Sequence, residues 1–436
     1  MKNLFSLILI LFSAYSVMAQ CNCDETISSS IWNGGFTFRS NRTYCIQGDI
    51  TIRYNVTFQD NTTICIPSGS TLRIDNTING NAASRVKVNV YGNFIVPNTF
   101  PVSFNIHVFE RGNIRGLGGD DQDIQMNGNN FHLLIEEGGN YKFGNLNLNN
   151  DGKENTVENH GTMTIDGEIN TRDSRSALRL DNYGTIDMNG NLYFSNSAGT
   201  NTFYNYGALN CKGVYSTDPT LHMQNAGTMS MSQNYDNTEN SVFSNCGTFK
   251  MNGNWGFNLS GLIINTGNMI IPNSSVAFSS TARIHNYSII SLKQISMDPN
   301  SLIYNEGEIT FSEAPNTNIR FAGPESKEQP EHSDSKNYGR FKWPGTQSHQ
   351  SGWARGNLNF VTTTPGSVND NNSYGMFGRW NSVEFDNSVR FGNCNDCTVI
   401  TEYDQCANAD GTWPINVNKP EMPKSIPVNR HVRTHL

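Results

Sequence analysis

The chain has few charged residues and only one long apolar run. Charged residues make up 16% of its 436 residues, and the formal net charge is −8, with the acidic residues scattered along the sequence. Such a balance lacks the basic surface that nucleic acids or anionic membranes require, so neither is an expected partner. The hydrophobic content of 36% still allows a core, although a slender one. No apolar run beyond residue 19 approaches membrane-spanning length, so the mature chain is predicted to have no transmembrane segment.

The one long apolar run lies at the start of the chain. Lys2 precedes an apolar stretch from Leu4 to Phe12, and the segment ends on the small residue Ala19. This layout is typical of a secretory signal peptide and is too short for a retained membrane anchor. We therefore expect residues 1–19 to be removed and the mature chain to be secreted, either extracellular or at the cell surface.

A short motif recurs along the middle of the chain at steps of 19 to 23 residues. Each copy has an Asn, and seven of the eight copies have a Gly two positions later, which favours a bend with a positive backbone dihedral. The stacked Asn amides are expected to form a ladder at this corner. The eight corner residues are Asn159, Asn182, Asn205, Asn225, Asn245, Asn265, Asn286 and Asn305.

Apolar residues occupy fixed positions around each Asn: two before it, four after it and six after it. Since strand side chains alternate, positions four and six face a core and position five faces solvent. Position ten is predicted to point inward in a further strand, with Ile169, Leu192, Tyr215, Tyr235 and Trp255 in that column. Cys211 falls in the inward column at position six and is predicted to be a buried free thiol.

Units of this length with no helical period must stack on one another to bury their apolar faces. The sequence therefore predicts an all-β fold: a single-stranded parallel β-helix, or β-solenoid, of about a dozen coils of roughly 20–23 residues. The expected organisation is a signal peptide (1–19), an N-terminal cap (20–44), the solenoid (45–312), a linker rich in Pro, Glu and Ser (313–340) and a Cys- and Trp-containing cap or module (341–436).

The N-x-G-T-[IM]-x-[MI] coil behind an export signal resembles the right-handed β-helix repeats of secreted bacterial adhesins and related surface proteins. The resemblance covers roughly residues 45–311. It implies a right-handed coil and a role at the cell surface. Solenoids of this kind also carry polysaccharide lyases and phage tailspike hydrolases, so the fold does not decide the function.

All nine cysteines follow the signal segment, and an exported chain is expected to pair them as disulfides with at least one left over. The aligned segments TYCIQGDITI and TICIPSGSTLRI place Cys45 over Cys65, so these two could pair with each other or with cysteines of an N-terminal cap. Three cysteines near the C-terminus are expected to form a disulfide rather than a zinc site, because a zinc site would need a fourth ligand. The disulfide candidates are Cys21, Cys23, Cys45, Cys65, Cys394, Cys397 and Cys406.

One loop carries a candidate metal site. The excursion from Gly118 to Asn129 brings Asp120, Asp121 and Asp123 together, and clustered carboxylates can hold calcium, although a solvated loop is the stronger interpretation. No other cofactor is expected. The histidines, including His107, are dispersed through different columns and form no visible metal set.

No catalytic constellation emerges from the motif. The outward position-five column has no stacked acid or base, which argues against an active groove on that face. A gathering of Asp166, Glu168, Arg172 and Asp173 near one turn is a weak catalytic candidate.

The sequence favours a non-enzymatic β-solenoid that acts as an adhesin or structural spacer. A glycan or a surface protein would be its partner. Aromatic residues near the corners would serve such contacts or else only cover the corners; they are Tyr183, Tyr204, Tyr206 and Tyr287. The alternative is a polysaccharide lyase or glycoside hydrolase with a cleft formed by the excursion.

Overall fold

The computed structural model describes most of residues 21–312 and four short segments beyond them. The described ranges are 21–28, 31–32, 34–81, 84–97, 99–101, 103–118, 123–127, 130–148, 155–171, 177–195, 199–254, 256–279, 281–297, 301–305, 307–312, 336–337, 340–343, 359–362 and 390–391. The predicted signal peptide (1–19) and the cysteines Cys394, Cys397 and Cys406 lie outside them.

The fold is an all-β parallel solenoid of the right-handed type with about 12 coils, and the described ranges contain no helix. The fold class predicted from the motif is thus confirmed. The chain divides into two units: an N-terminal unit of residues 1–201 with 207–209, and a C-terminal unit of residues 202–206 with 210–436. In both units, strands pair in parallel with the corresponding strands of adjacent coils.

The sheet whose strands lead into the corner is called the ladder sheet. In the N-terminal unit its strands are Glu25–Ile27, Thr43–Ile46, Thr62–Ile66, Arg85–Val90, Ser103–Val108, His132–Ile135, Asn155–Asn159 and Leu178–Asn182. In the C-terminal unit they are Thr202–Asn205, His222–Asn225, Val242–Asn245, Leu262–Asn265, Arg283–Asn286, Leu302–Asn305 and Lys336–Asn337.

The chain after each corner forms a second strand and, in many coils, a third. The second and third strands of the N-terminal unit are Ile31–Trp32, Phe36–Phe38, Asp49–Ile52, Val56–Phe58, Thr71–Ile74, Ile78–Asn79, Asn93–Val96, Thr99–Phe100, Asn113–Gly116, Ile124–Met126, Asn140–Phe143, Leu146–Leu148, Thr162–Ile165, Ile169–Asn170, Thr185–Met188 and Asn191–Phe194. The second and third strands of the later coils are Ala208–Cys211, Gly213–Ser216, Thr228–Met231, Tyr235–Asp236, Thr248–Met251, Phe257–Leu259, Asn268–Phe278, Ile289–Met297, Glu308–Phe311, Arg340–Trp343, Asn359–Thr362 and Arg390–Phe391.

Strand pairing continues past residue 312, where the motif analysis ends the solenoid. Tyr304 and Asn305 pair with Lys336 and Asn337, and the strand Arg340–Trp343 pairs with Glu308–Phe311. The segment 336–343 reads KNYGRFKW, another Asn-x-Gly followed by alternating large residues. The motif therefore recurs in a segment that the sequence analysis assigned to the linker and to the start of the C-terminal module.

The core consists of apolar columns that run from coil to coil. Met229 aligns with Phe249 and Met231 with Met251, and all four side chains are almost fully buried. Position-ten predictions hold for Ile169 and Leu192, which pair in register and are buried.

One position-ten prediction, that for Tyr215, is wrong. Val214, not Tyr215, is the buried residue and pairs with Tyr235. Phe257 is the partner of Tyr235 in the next coil, and Trp255 lies outside the described residues. Turns of unequal length shift the third strand by one or two residues, so a fixed offset from the Asn misplaces its inward face.

The corner Asn side chains form the predicted ladder. In the C-terminal unit, Nδ2 of Asn225 donates to Oδ1 of Asn245 at 2.8 Å and also to the backbone oxygen of Thr248 at 3.1 Å. In the N-terminal unit, Asn159 donates to Asn182 at 2.8 Å. All eight corner residues are at most 1% exposed. The amides from Asn159 to Asn286 thus donate to the coil that follows them.

The sequence analysis attributed the corner glycines to a positive backbone dihedral, and this explanation is wrong. None of the described corner glycines has a positive φ; Gly48, Gly69 and Gly138 are the glycines that do in this part of the chain. A Cβ at Gly247 would lie 2.1 Å from the backbone oxygen of Gly227, and a Cβ at Gly161, Gly184, Gly207, Gly267 or Gly307 would meet the backbone of the preceding coil at a similar distance. Glycine is favoured at these corners because adjacent coils approach closely there, although Ser288 occupies the same position in one coil.

Two disulfides join the N-terminal cap to the first coils. Cys21 pairs with Cys65 and Cys23 with Cys45, with Cα–Cα distances of 6.1 Å and 5.7 Å. Cys45 and Cys65 are aligned as expected, but each bonds to the cap rather than to the other. Cys246 is also disulfide-bonded.

Cys211 is a buried free thiol, as predicted. Burial raises the pKa of its thiol to about 12. The side chain therefore stays protonated and unreactive at neutral pH.

Candidate functional site

The calcium candidate falls mostly outside the described residues. Asp120 and Asp121 are not described, whereas Asp123 is tied to the next coil. Its Oδ1 accepts hydrogen bonds from the backbone N and the Nδ2 of Asn145, at 3.1 and 2.6 Å. This carboxylate thus helps to hold two adjacent coils together. Calcium binding stays a prediction, and thermal unfolding of the protein with and without calcium would check it.

A cavity of about 640 Å³ lies beside the start of the excursion. Its described lining includes Asp75, Thr99 and Gly118, and among those described lining residues Asp75 is the one carboxylate. That carboxylate pairs with Arg73. Glycoside hydrolysis needs two carboxyl groups that flank the scissile bond, and the described part of this lining supplies one.

The weak catalytic candidate at the far turn is also engaged in stacking. Asp166 accepts a hydrogen bond from Asn189 at 3.1 Å, and Glu168 accepts one from Asn191 at 3.1 Å. Arg172 and Asp173 lie outside the described residues. Among the described residues, the two acids hold the following coil.

The four tyrosines named from the sequence differ in exposure. Tyr183 and Tyr206 are 46% and 44% exposed, whereas Tyr287 is buried at 4%. Tyr287 packs with Tyr304 and Ile264, so it covers the core and offers no contact surface. Tyr183 belongs to the N-terminal unit and carries the largest exposed ring of the four.

The outward face of the ladder sheet in the N-terminal unit gathers histidines, acids and aromatic rings. His107 contacts Glu136 at 2.8 Å, and its ring stacks on Phe109 with centroids 3.7 Å apart. Phe109 also stacks on Tyr91 at 3.9 Å. Phe109 thus has ring faces covered by neighbours and contributes to packing more than to a ligand platform.

A second group on this face, the Tyr183 cluster, consists of Glu158, His160, Arg179, Asp181 and Tyr183. Glu158 and Asp181 are register partners on adjacent strands, so two carboxylates share the outward face. His160 Nε2 contacts Glu158 at 2.7 Å, and the Arg179 guanidinium contacts Asp181 at 2.8 Å. The rings of His160 and Tyr183 stack with centroids 4.6 Å apart and planes within 6°.

Burial shifts the pKa of Asp181, the least exposed acid of this cluster. Desolvation raises the pKa of Asp181, the Arg179 pair opposes that rise, and Glu158 adds to it. Desolvation and the charges of Asp181 and Glu158 raise the pKa of Tyr183. Perturbed acids on a surface with an exposed ring are characteristic of binding or catalytic sites.

Sequence reasoning missed the Tyr183 cluster because it examined the outward column after the Asn, not the one before it. Glu158 and Asp181 each precede a corner Asn by one residue, so the signal was available. His160 and Tyr183 each follow a corner Asn by one residue. Aligning both columns around the Asn would have brought these residues together.

Among the described residues, Cys21, Cys45 and Cys65 are the group whose ligand atoms lie close enough for a metal ion, and all three are in disulfides. That part of the chain also has no helix with the length and apolarity to cross a membrane.

The fold and site define a parallel β-solenoid with an asparagine ladder and an outward polar and aromatic face. Comparison with protein families, curated proteins and solved structures finds no match to this chain.

Proposed function

We propose that this chain is an exported, non-enzymatic β-solenoid that acts as an adhesin or spacer at the cell surface. The observation that supports it is the contrast between uniform inward columns and irregular outward ones. In the position-five column, register neighbours such as Thr164 with Asp187, or Ser230 with Lys250, carry no pair of acids. A scaffold needs only the inward regularity, and its outward side chains are left to vary with the partner.

Attachment is the direct test of this function. Beads coated with residues 20–436 are expected to adhere to cells or to a polysaccharide matrix. Beads coated with heat-unfolded chain are the control. Adhesion no greater than that of the control would remove the adhesive role and leave that of a spacer.

Export is tested separately. The mature chain recovered outside the producing cell is expected to begin at Gln20, as measured by mass spectrometry of its N-terminal peptide. Retention of residues 1–19 in the recovered chain would contradict the signal-peptide prediction.

A carbohydrate-active enzyme is the second candidate, and the adjacency of Glu158 and Asp181 favours it. Two carboxylates with unlike environments can divide acid and base roles. Incubation with acidic and neutral polysaccharides, followed by assays for reducing ends and unsaturated products, separates the two functions. Turnover by the wild-type chain that disappears in Glu158→Gln would establish the enzyme.

A further inference from the structure

We propose that the Tyr183 cluster is a binding subsite for a neutral sugar residue of a glycan. The proposal deepens the adhesive function above and rests on it. Its basis is the meeting of an exposed ring with hydrogen-bonding groups of both kinds on two adjacent coils.

The ladder fixes the position of the cluster. Asn159 donates to Asn182 Oδ1 at 2.8 Å and to the backbone oxygen of Thr185 at 3.0 Å. The residues that flank these two amides are therefore held in register. A preorganised site of this kind loses little conformational entropy when a ligand binds.

Tyr183 supplies the apolar contact. Its side chain is among the most exposed large rings in the described part of the chain, and the stacked imidazole of His160 supports the ring. An aromatic ring combines a large apolar surface with a polar tip, which suits the apolar C–H face and the hydroxyl rim of a sugar ring. Because one face of the ring packs on His160, a sugar would contact the rest of its exposed surface.

Polar groups that match sugar hydroxyls surround the ring. Glu158 engages His160 through Oε1, and its side chain is 36% exposed. Asp181 is 4% exposed, and its Oδ1 has no hydrogen-bond partner. Arg179 keeps 61% of its side chain exposed beside this acid. The half-buried carboxylate of Glu158 can accept from hydroxyl groups and the exposed Arg179 guanidinium can donate to them, so neighbouring hydroxyls of one sugar would find both.

Charge favours a neutral glycan over an acidic one. The cluster has two carboxylates, and its one guanidinium already pairs with Asp181. A uronic acid or sulfated sugar would meet these carboxylates and be repelled. A sugar without charge would lose nothing to that repulsion.

The experiment measures binding of the full chain to neutral and acidic polysaccharides by affinity electrophoresis and calorimetry. Wild-type protein is expected to bind at least one neutral polysaccharide. Tyr183→Ala and Glu158→Gln are each expected to weaken that binding about tenfold or more, equivalent to about 1.4 kcal/mol. Tyr54→Ala is the matched control, because Tyr54 is 51% exposed and lies outside the cluster.

Melting curves accompany each variant, and Tyr183→Phe, which keeps the ring, is expected to retain most of the affinity. Equal binding by wild type and both cluster variants would overturn the subsite while leaving the adhesive function intact. Adhesion to cells without binding to any neutral polysaccharide would do the same and would point to a protein partner. Binding followed by release of reducing ends would support the subsite and overturn the non-enzymatic function.

Discussion

At the scale of single residues, the corner is the most demanding position in this fold. The Asn225 amide donates both to Asn245 and to the backbone of the next coil, and it accepts from Asn205 at 2.7 Å. It is also completely buried, so no solvent replaces a lost partner. Both the amide and the missing side chain of the nearby glycine are needed to let coils stack at strand spacing.

Replacing Asn225 with Ala is expected to lower the free energy of unfolding by about 2–5 kcal/mol, because it leaves a donor of Asn205 and the acceptor of Asn245 unsatisfied in a dry corner. Urea denaturation measures the loss. Asn258→Ala is the control, since this outward Asn is exposed. Equal stability of the two variants would mean that the ladder contributes nothing.

Replacing Gly247 with Ala is expected to destabilise the protein by about 1–3 kcal/mol, because the new Cβ would meet the backbone of the preceding coil and force the two apart. Thermal unfolding checks the effect. Gly34→Ala serves as the control, since a Cβ at Gly34 would meet nothing within 4 Å. Unchanged stability of Gly247→Ala would show that the two coils can move apart without a loss of stability.

Ionisation of the buried Cys211 thiol is expected to lower the stability of the folded protein at high pH. Its pKa is raised from 9.0 to about 12 in the folded state, so its stabilising contribution is complete below pH 9 and is lost as the pH rises toward 12. Burial also raises the pKa of Tyr141 and Tyr235, which act in the same direction. The melting temperature is expected to fall above pH 9, and less steeply in Cys211→Ala. An identical slope in the variant would exclude a contribution from the thiol.

At the scale of elements, each residue of a strand is buried or exposed according to the column of stacked residues in which it lies. Met229 and Ser230 are neighbours in sequence, yet the first is buried between coils and the second lies on the outward face beside Lys250. Alternation along the strand gives each residue its face, and parallel register repeats that face in the next coil.

A charge in an inward column is expected to be severely destabilising. Met229→Lys and Met251→Lys should each cost more than about 3 kcal/mol, because an unpaired ammonium group would enter a fully apolar stack. Ser230→Glu, which faces Lys250 on the outside, is the control and is expected to change stability by less than about 0.5 kcal/mol. Chemical denaturation ranks the three variants; unchanged melting of the Lys variants would refute the winding of the chain.

At the scale of the whole molecule, crosslinks hold the beginning of the chain to the first coils. The two cap disulfides span 44 and 22 residues of sequence. They tie the cap, whose strand Glu25–Ile27 ends the ladder sheet among the described residues, to the two coils that follow it.

Peptide mapping under non-reducing conditions is expected to recover Cys21 linked to Cys65 and Cys23 linked to Cys45. The Cys23→Ser, Cys45→Ser double variant should lose about 3 kcal/mol of stability, by analogy with closed loops of this length. A peptide that joins Cys45 to Cys65 would contradict this connectivity.

The sequence alone determined the solenoid, its inward columns and the Asn ladder. Each coil meets coils like itself, so one environment recurs about every 20 residues and leaves a visible period in the sequence. The spare thiol at Cys211 followed from the same columns.

Only the tertiary structure decided which residues of different coils meet where the repeat is irregular. Turn length shifts the third strand, which is why Val214 and not Tyr215 faces the core. The choice of cap disulfides depends on where the N-terminal strand docks, and the close approach at Gly247 depends on the distance between backbones. In the Tyr183 cluster the repeat places residues 23 apart in sequence side by side, and only the structure shows which of their side chains pair and stack.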